Sequence, residues 1–193
     1  MEALARQLTE KIVLTGNVDK DKREIIQYGL ELCISTLILI FSIAVLSLTF
    51  FHKLDAVVFL AFFVPVRLFS GGFHASTYLK CYCCSLIVFG VIVMGAEKFP
   101  IENIGIKISA IILAFIFLYG RAPHINKNHP ISERMVQKNR KRLKIVMLMD
   151  LLLFVAVSLW NQHYGMMAFY SILMAVLLFG LAESPIGNYL ENL

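Results

Sequence analysis

The stretch from Leu32 to Phe51, LCISTLILIFSIAVLSLTFF, runs for twenty residues without a charge and decides the class of fold. A helix needs about 20 apolar residues to cross roughly 30 Å of hydrocarbon. Glu31 and His52 bound the run at that length. Outward from it, a second run lies between Asp55 and Lys80, but Arg67 and the Gly71-Gly72 pair interrupt it. Its apolar part is about 11 to 15 residues, short for a full crossing. Cys81 to Ala96 is uncharged, and Ile104 to Gly120 makes another span if Lys107 snorkels from its edge. Ile145 to Gln162, carrying Asp150, and Tyr164 to Ala182 complete the set. The expectation is an all-α integral membrane protein with about six transmembrane segments and a broken or re-entrant region near residues 67–81.

Composition agrees. Of 193 residues, 59% are hydrophobic and 16% charged, against about 25% charged in a soluble domain. Fifteen Phe and a mean hydropathy of +0.74 give more apolar surface than a core of this size could hide. A soluble globule, a disordered chain and a nucleic-acid binder are excluded. The net charge of +5 therefore reads as a mark of topology. If the loops alternate from the N-terminus, one face carries 15 of the Lys and Arg residues and the other carries Lys53, Lys98 and Lys107. Basic residues collect on the cytoplasmic side, so the N-terminus is expected to be cytoplasmic, with an even number of crossings.

The ends and loops add detail. No apolar core with a small-residue cleavage site precedes the first span, so residues 1–30 read as a cytoplasmic leader rather than a signal peptide. Leu4, Leu8 and Ile12 recur at helical spacing beside Arg6 and Lys11, as in an amphipathic helix lying on the inner membrane surface. Residues 121–144 form a basic cytoplasmic loop. Pro123 and Pro130 define its first part, and Ser132 with Glu133 opens a basic helix that runs into the fifth span. That loop can be held against anionic lipid, or it can dock an acidic peptide.

Polar residues set where lipid is expected are costly and mark function, which singles out Arg67 to Cys84, RLFSGGFHASTYLKCYCC. Paired glycines at 71 and 72 open backbone conformations closed to other residues and weaken a continuous helix. His74 and Cys81 supply the imidazole and thiol of a base and its nucleophile. In one unbroken helix their Cα atoms would stand about 10.5 Å apart along the axis, too far for the ~3 Å proton transfer requires. A dyad therefore needs a bend or unwound turn between them. Arg67 and Lys80 would then favour the thiolate, while desolvation near lipid opposes it.

Other readings stay open on spacing alone. His74 can be a structural interface histidine. Cys81 and Cys84 form a C-x-x-C that suits dithiol exchange or metal binding, although a second ligand pair is missing. Cys33 reads as packing. Asp150 can pair with a basic side chain or orient His74.

The six-span layout, Arg-x-x-Ser-Gly-Gly-x-His at 67 to 74 with Cys81 seven residues on, and Ala-Pro-x-x-x-Lys-Asn-x-Pro at 122 to 130 closely resemble the AgrB family. These are membrane peptidases of Gram-positive quorum sensing, and the resemblance covers most of the chain. It implies a peptidase acting as a homodimer; the chain reads as a single membrane-embedded peptidase domain over 1–193 in the cell membrane, with no cofactor or metal expected. By the same resemblance His74 is the base and Cys81 the nucleophile. Arg67, Ser70, Gly71, Gly72 and Lys80 are the residues expected to bind substrate. The implied substrate is an AgrD-like propeptide, cut at its C-terminal side and closed to a thiolactone or lactone. The main rival is a small transporter that moves a peptide along the same broken segments without cutting it. A non-enzymatic membrane partner of a sensor kinase is the third class.

Overall fold

The computed structural model describes residues 6–11, 23–71, 78–122 and 133–184. All regular structure among them is helical. After a helical segment at 6–11 come α1 (Arg23–Phe50), α2 (Asp55–Ser70), α3 (Tyr78–Lys98), α4 (Ile104–Arg121), α5 (Glu133–Trp160) and α6 (Gln162–Glu183). Five of the six, all but α2, are long and apolar enough to cross a membrane. The chain is an all-α membrane protein, as its hydropathy implies. At 1.5 Å per residue the 16 residues of α2 span about 24 Å, less than the hydrocarbon thickness.

The chain divides into two compact units, residues 1–46 and 47–193. In the first, Glu10 accepts from Arg6 at 3.3 Å and from Arg23 at 3.1 Å, which ties the helical segment at 6–11 to the start of α1. Leu37 and Phe41 on α1 are exposed, as lipid-facing side chains must be.

In the second unit α6 is the central element, and α2, α3, α4 and α5 all pack on it. Small residues let them come close: Gly165, Ala168, Ser171, Ala175 and Ala182 on α6 are all buried. At Gly165 an added Cβ would stand 2.8 Å from the Cα of Ser158, so α5 and α6 approach there to a distance only glycine permits. α2 buries Phe59, Phe62, Phe63 and Val66, a helical stripe. Phe59 stacks on Phe63 at 4.8 Å and meets Phe89 of α3 edge-on at 5.3 Å, so aromatic packing joins α2 to α3.

The helix ends follow local chemistry. Asn103 caps α4, its Oδ1 accepting from the N–H groups of Gly105 at 2.8 Å and Ile106 at 3.3 Å. Asn161 caps α6 by accepting from the Tyr164 N–H at 3.2 Å. α2 stops at Gly71, which has φ 73° and ψ −158° and donates its N–H to the Arg67 carbonyl at 3.1 Å. That corner of backbone space is essentially reserved for glycine. One expectation changes: Lys107, expected to snorkel from the edge of its span, is buried on α4.

Candidate functional site

The break between α2 and α3 gathers the residues singled out from sequence. Arg67, Ser70 and Gly71 close α2, with Arg67 half-buried and Ser70 buried. Ser70 donates its hydroxyl to the Gly71 carbonyl at 2.9 Å, a further hold on the helix end. Lys80, exposed, and Cys81, half-buried, lie in the first turns of α3. Gly72 and His74 fall outside the described residues, so the His74–Cys81 pairing falls there too.

The other helices bring positive charge to this end of the bundle. The Arg142 guanidinium lies over the Phe69 ring at 5.7 Å, which brings the basic part of α5 against the end of α2. Arg140 and Lys144 lie over Tyr119, at 5.5 and 4.9 Å, near the end of α4. Arg121 pairs with Glu183 of α6 at 3.4 Å. Thus the ends of α2, α4 and α6, the start of α3 and the basic turns of α5 share one pole. Nearer its start α5 also lines a shallow hollow of about 520 Å³ with Arg134, Gln137, Lys138 and Lys141.

The three clustered thiols differ in setting. Cys81 is half-buried, whereas Cys83 and Cys84 are exposed, and all are free, as is Cys33. Cys33 is exposed on α1 rather than packed in a protein interior. The Cys81 carbonyl accepts the Ser85 hydroxyl at 2.9 Å, within helical geometry. A half-buried sulfur in the first turn of a helix is shielded on one side.

Asp150 is buried on α5, and among the described residues no ion pair reaches it; its Oδ2 has no hydrogen-bond partner there. Lys144, the basic residue nearest before it on α5, rests on Tyr119. Sequence reasoning missed a second polar cluster. His52, Asp55 and His163 meet at the opposite pole, where their ligand-type atoms all lie within 4.8 Å of one another. Their position at the borders of apolar runs was visible, but their meeting across 108 residues was not.

Comparison with known proteins fits this architecture. The family profile described as Accessory gene regulator B matches residues 5–179. The chain belongs to the AgrB family. An AgrB-like protein of Clostridium perfringens (strain SM101 / Type A) is 29% identical over 174 residues, covering 86% of this chain and 80% of its own length. AgrB-like protein 2 of Clostridium perfringens (strain 13 / Type A) is 30% identical over 173 residues, with 86% and 79% covered. Accessory gene regulator protein B of Staphylococcus carnosus is 26% identical over 174 residues, with 89% and 85% covered. No solved structure matches. AgrB membership gives the chain a role in the accessory gene regulator system, the quorum-sensing system in which AgrD-type propeptides take part.

Proposed function

We propose that this chain is a membrane cysteine endopeptidase that cuts an AgrD-like propeptide at its C-terminal side and cyclises the product. The observation that carries the reading is the glycine-terminated end of α2 at Gly71, followed by a new helix with Cys81 in its first turn. A continuous helix would hold positions 74 and 81 apart by nearly two turns, so the reading requires a bend between them; the stop of α2 at Gly71 ends the preceding helix three residues before His74. Family membership and the half-buried setting of Cys81 support the same assignment.

In this mechanism the His74 imidazole takes the Cys81 thiol proton, and the sulfur attacks the scissile carbonyl carbon. As the tetrahedral intermediate collapses, the C–N bond breaks and His74 returns the proton to the departing amine. The N-terminal part of the propeptide remains as a thioester on Cys81. A thiol or hydroxyl within that acyl segment then attacks the thioester carbonyl, closing the ring and releasing Cys81 as the thiol. With an attacking thiol, one thioester replaces another, so the second step is nearly isoenergetic. The first, amide to thioester, is uphill and needs departure of the cleaved fragment to draw it forward. Exclusion of water at the lipid boundary lets cyclisation outrun hydrolysis.

The charges suit such a substrate. An acidic C-terminal tail would be met by Arg67, Lys80 and the basic turns of α5 beside the chain break at Gly71, with the buried Ser70 bracing the end of α2 behind them. The site would then face the cytoplasm, on the side that carries the N-terminus, and the enzyme would work as a dimer.

The test is reconstitution of the purified protein in liposomes with an AgrD-like propeptide and mass spectrometry of the products. A released C-terminal fragment and a cyclic partner are expected, and Cys81→Ala should abolish both. Cys83→Ala and Cys84→Ala should keep them. Substrate moved into the vesicles uncut would overturn the reading in favour of a transporter. Loss of cleavage in Cys84→Ala equal to that in Cys81→Ala would overturn it in favour of dithiol chemistry.

A further inference from the structure

We propose that His52, Asp55 and His163 form a binding site for a divalent transition-metal ion, with zinc the best match, at the pole of the bundle remote from Cys81. Asp55 is the first residue of α2 and its side chain is fully buried, while His163 opens α6 and is largely buried. His163 Nε2 lies 2.8 Å from Asp55 Oδ1. His52, in the turn between α1 and α2, places Nδ1 3.7 Å from Asp55 Oδ2, and the two imidazole rings stand 4.1 Å apart. Glu97, near the end of α3, brings Oε1 to 4.0 Å from His52 Nδ1.

The spacing and the chemistry both suit zinc. Zinc takes imidazole nitrogen at about 2.0–2.1 Å and carboxylate oxygen at about 2.0–2.2 Å. Tetrahedral ligands at such radii stand roughly 3.3–3.5 Å from one another; His163 Nε2 and Asp55 Oδ1 are already at 2.8 Å, and the three ligand atoms all lie within 4.8 Å, so modest side-chain rotations bring them to a common ion. Two neutral imidazoles and one or two carboxylates are borderline donors of the kind zinc prefers, and the carboxylates offset its charge. Glu97 or water would complete the shell. On binding, a proton held between His163 Nε2 and Asp55 Oδ1 is released to solvent, and the nitrogen lone pair and carboxylate oxygen turn to the metal.

The framework around the ligands is fixed before any ion arrives. The buried Ser47 hydroxyl donates to the His52 carbonyl at 2.7 Å and accepts from the Ala56 N–H at 3.1 Å. The His52 N–H donates to Asp55 Oδ2 at 3.1 Å, so one carboxylate oxygen stays anchored while the other can ligate. Such support orients ligands and raises affinity. A bound ion would clip the turn at 51–54 to the start of α6, the helix on which the rest of the unit packs. Cys81 and Glu97 are sixteen residues apart on α3, about 24 Å along its axis, so this site is separate from the thiol and does not depend on the proposed cleavage.

The experiment uses the full-length protein in detergent, stripped with a chelator and titrated with zinc against a chromophoric competitor. One zinc per chain is expected, and His52→Ala should weaken binding by at least tenfold. His52 is half exposed, so this variant should fold with the metal-free melting temperature of the parent even if changes at the buried Asp55 or His163 do not. Cobalt in place of zinc should give visible absorption from a nitrogen and oxygen site without thiolate charge transfer. The Cys83→Ala, Cys84→Ala double variant should bind zinc as the parent does. Absence of stoichiometric binding, binding undiminished in His52→Ala, loss in the cysteine variant, or a thiolate band with cobalt would each overturn the proposal.

Discussion

Replacing Gly71 by alanine tests whether the break between α2 and α3 serves the chemistry. Gly71 sits at φ 73° and ψ −158°, and a residue with a Cβ held in such a region is strained by about 1–3 kcal/mol. The alanine variant can relieve that strain by letting the chain leave α2 along another path. It then gives up the Gly71 N–H bond to Arg67, worth about 0.5–1.5 kcal/mol, and moves the start of the segment leading to Cys81. If only the native path presents a competent site, the competent fraction falls by the strain energy, and apparent activity falls with it. One to three kcal/mol corresponds to a drop of about 5- to 150-fold in the cleavage rate. The assay is single-turnover cleavage of an AgrD-like propeptide in liposomes, beside Gly90→Ala, whose new Cβ would meet nothing within 4 Å. Gly90→Ala should cleave at the parental rate. Parental cleavage by Gly71→Ala, with parental stability, would refute the link between the glycine stop and the active geometry.

Two further outcomes follow from the same geometry. Gly165→Ala places a methyl 2.8 Å from the Ser158 Cα, backbone that cannot swing aside, and should destabilise the protein by about 1–3 kcal/mol in a reversible mixed-micelle unfolding assay; parental stability would show that α5 and α6 can part freely. Arg67→Ala should raise the propeptide KM most at low ionic strength and progressively less as salt screens the charge. An unchanged KM at every salt concentration would remove Arg67 from substrate binding.

Much of the architecture was legible because the signals that carry it are local. Charge-free length alone marks the spans, since lipid offers no partner to a charge or an open backbone group. The stop at Gly71 was visible as paired glycines because positive φ is a property of the residue itself. Ser132 and Glu133 likewise announced α5, which begins at Glu133. The residues proposed for the site were chosen by type and spacing, and the structure adds the gathering of Arg140, Arg142 and Lys144 around the ends of α2 and α4, which depends on how α5 packs.

What the sequence by itself determined, then, was which segments leave water and where the chain must turn. It could not tell a helix buried in lipid from one buried in protein, because both environments select the same apolar side chains. α6 is no more apolar than α1, yet it is the helix on which four others pack. Tertiary structure alone decided that, together with the glycine-only approach at Gly165 and the burial of Lys107. It alone brought His163 to Asp55. Contacts between residues 108 positions apart depend on how whole helices pack, and no local pattern of charge or hydropathy encodes that distance.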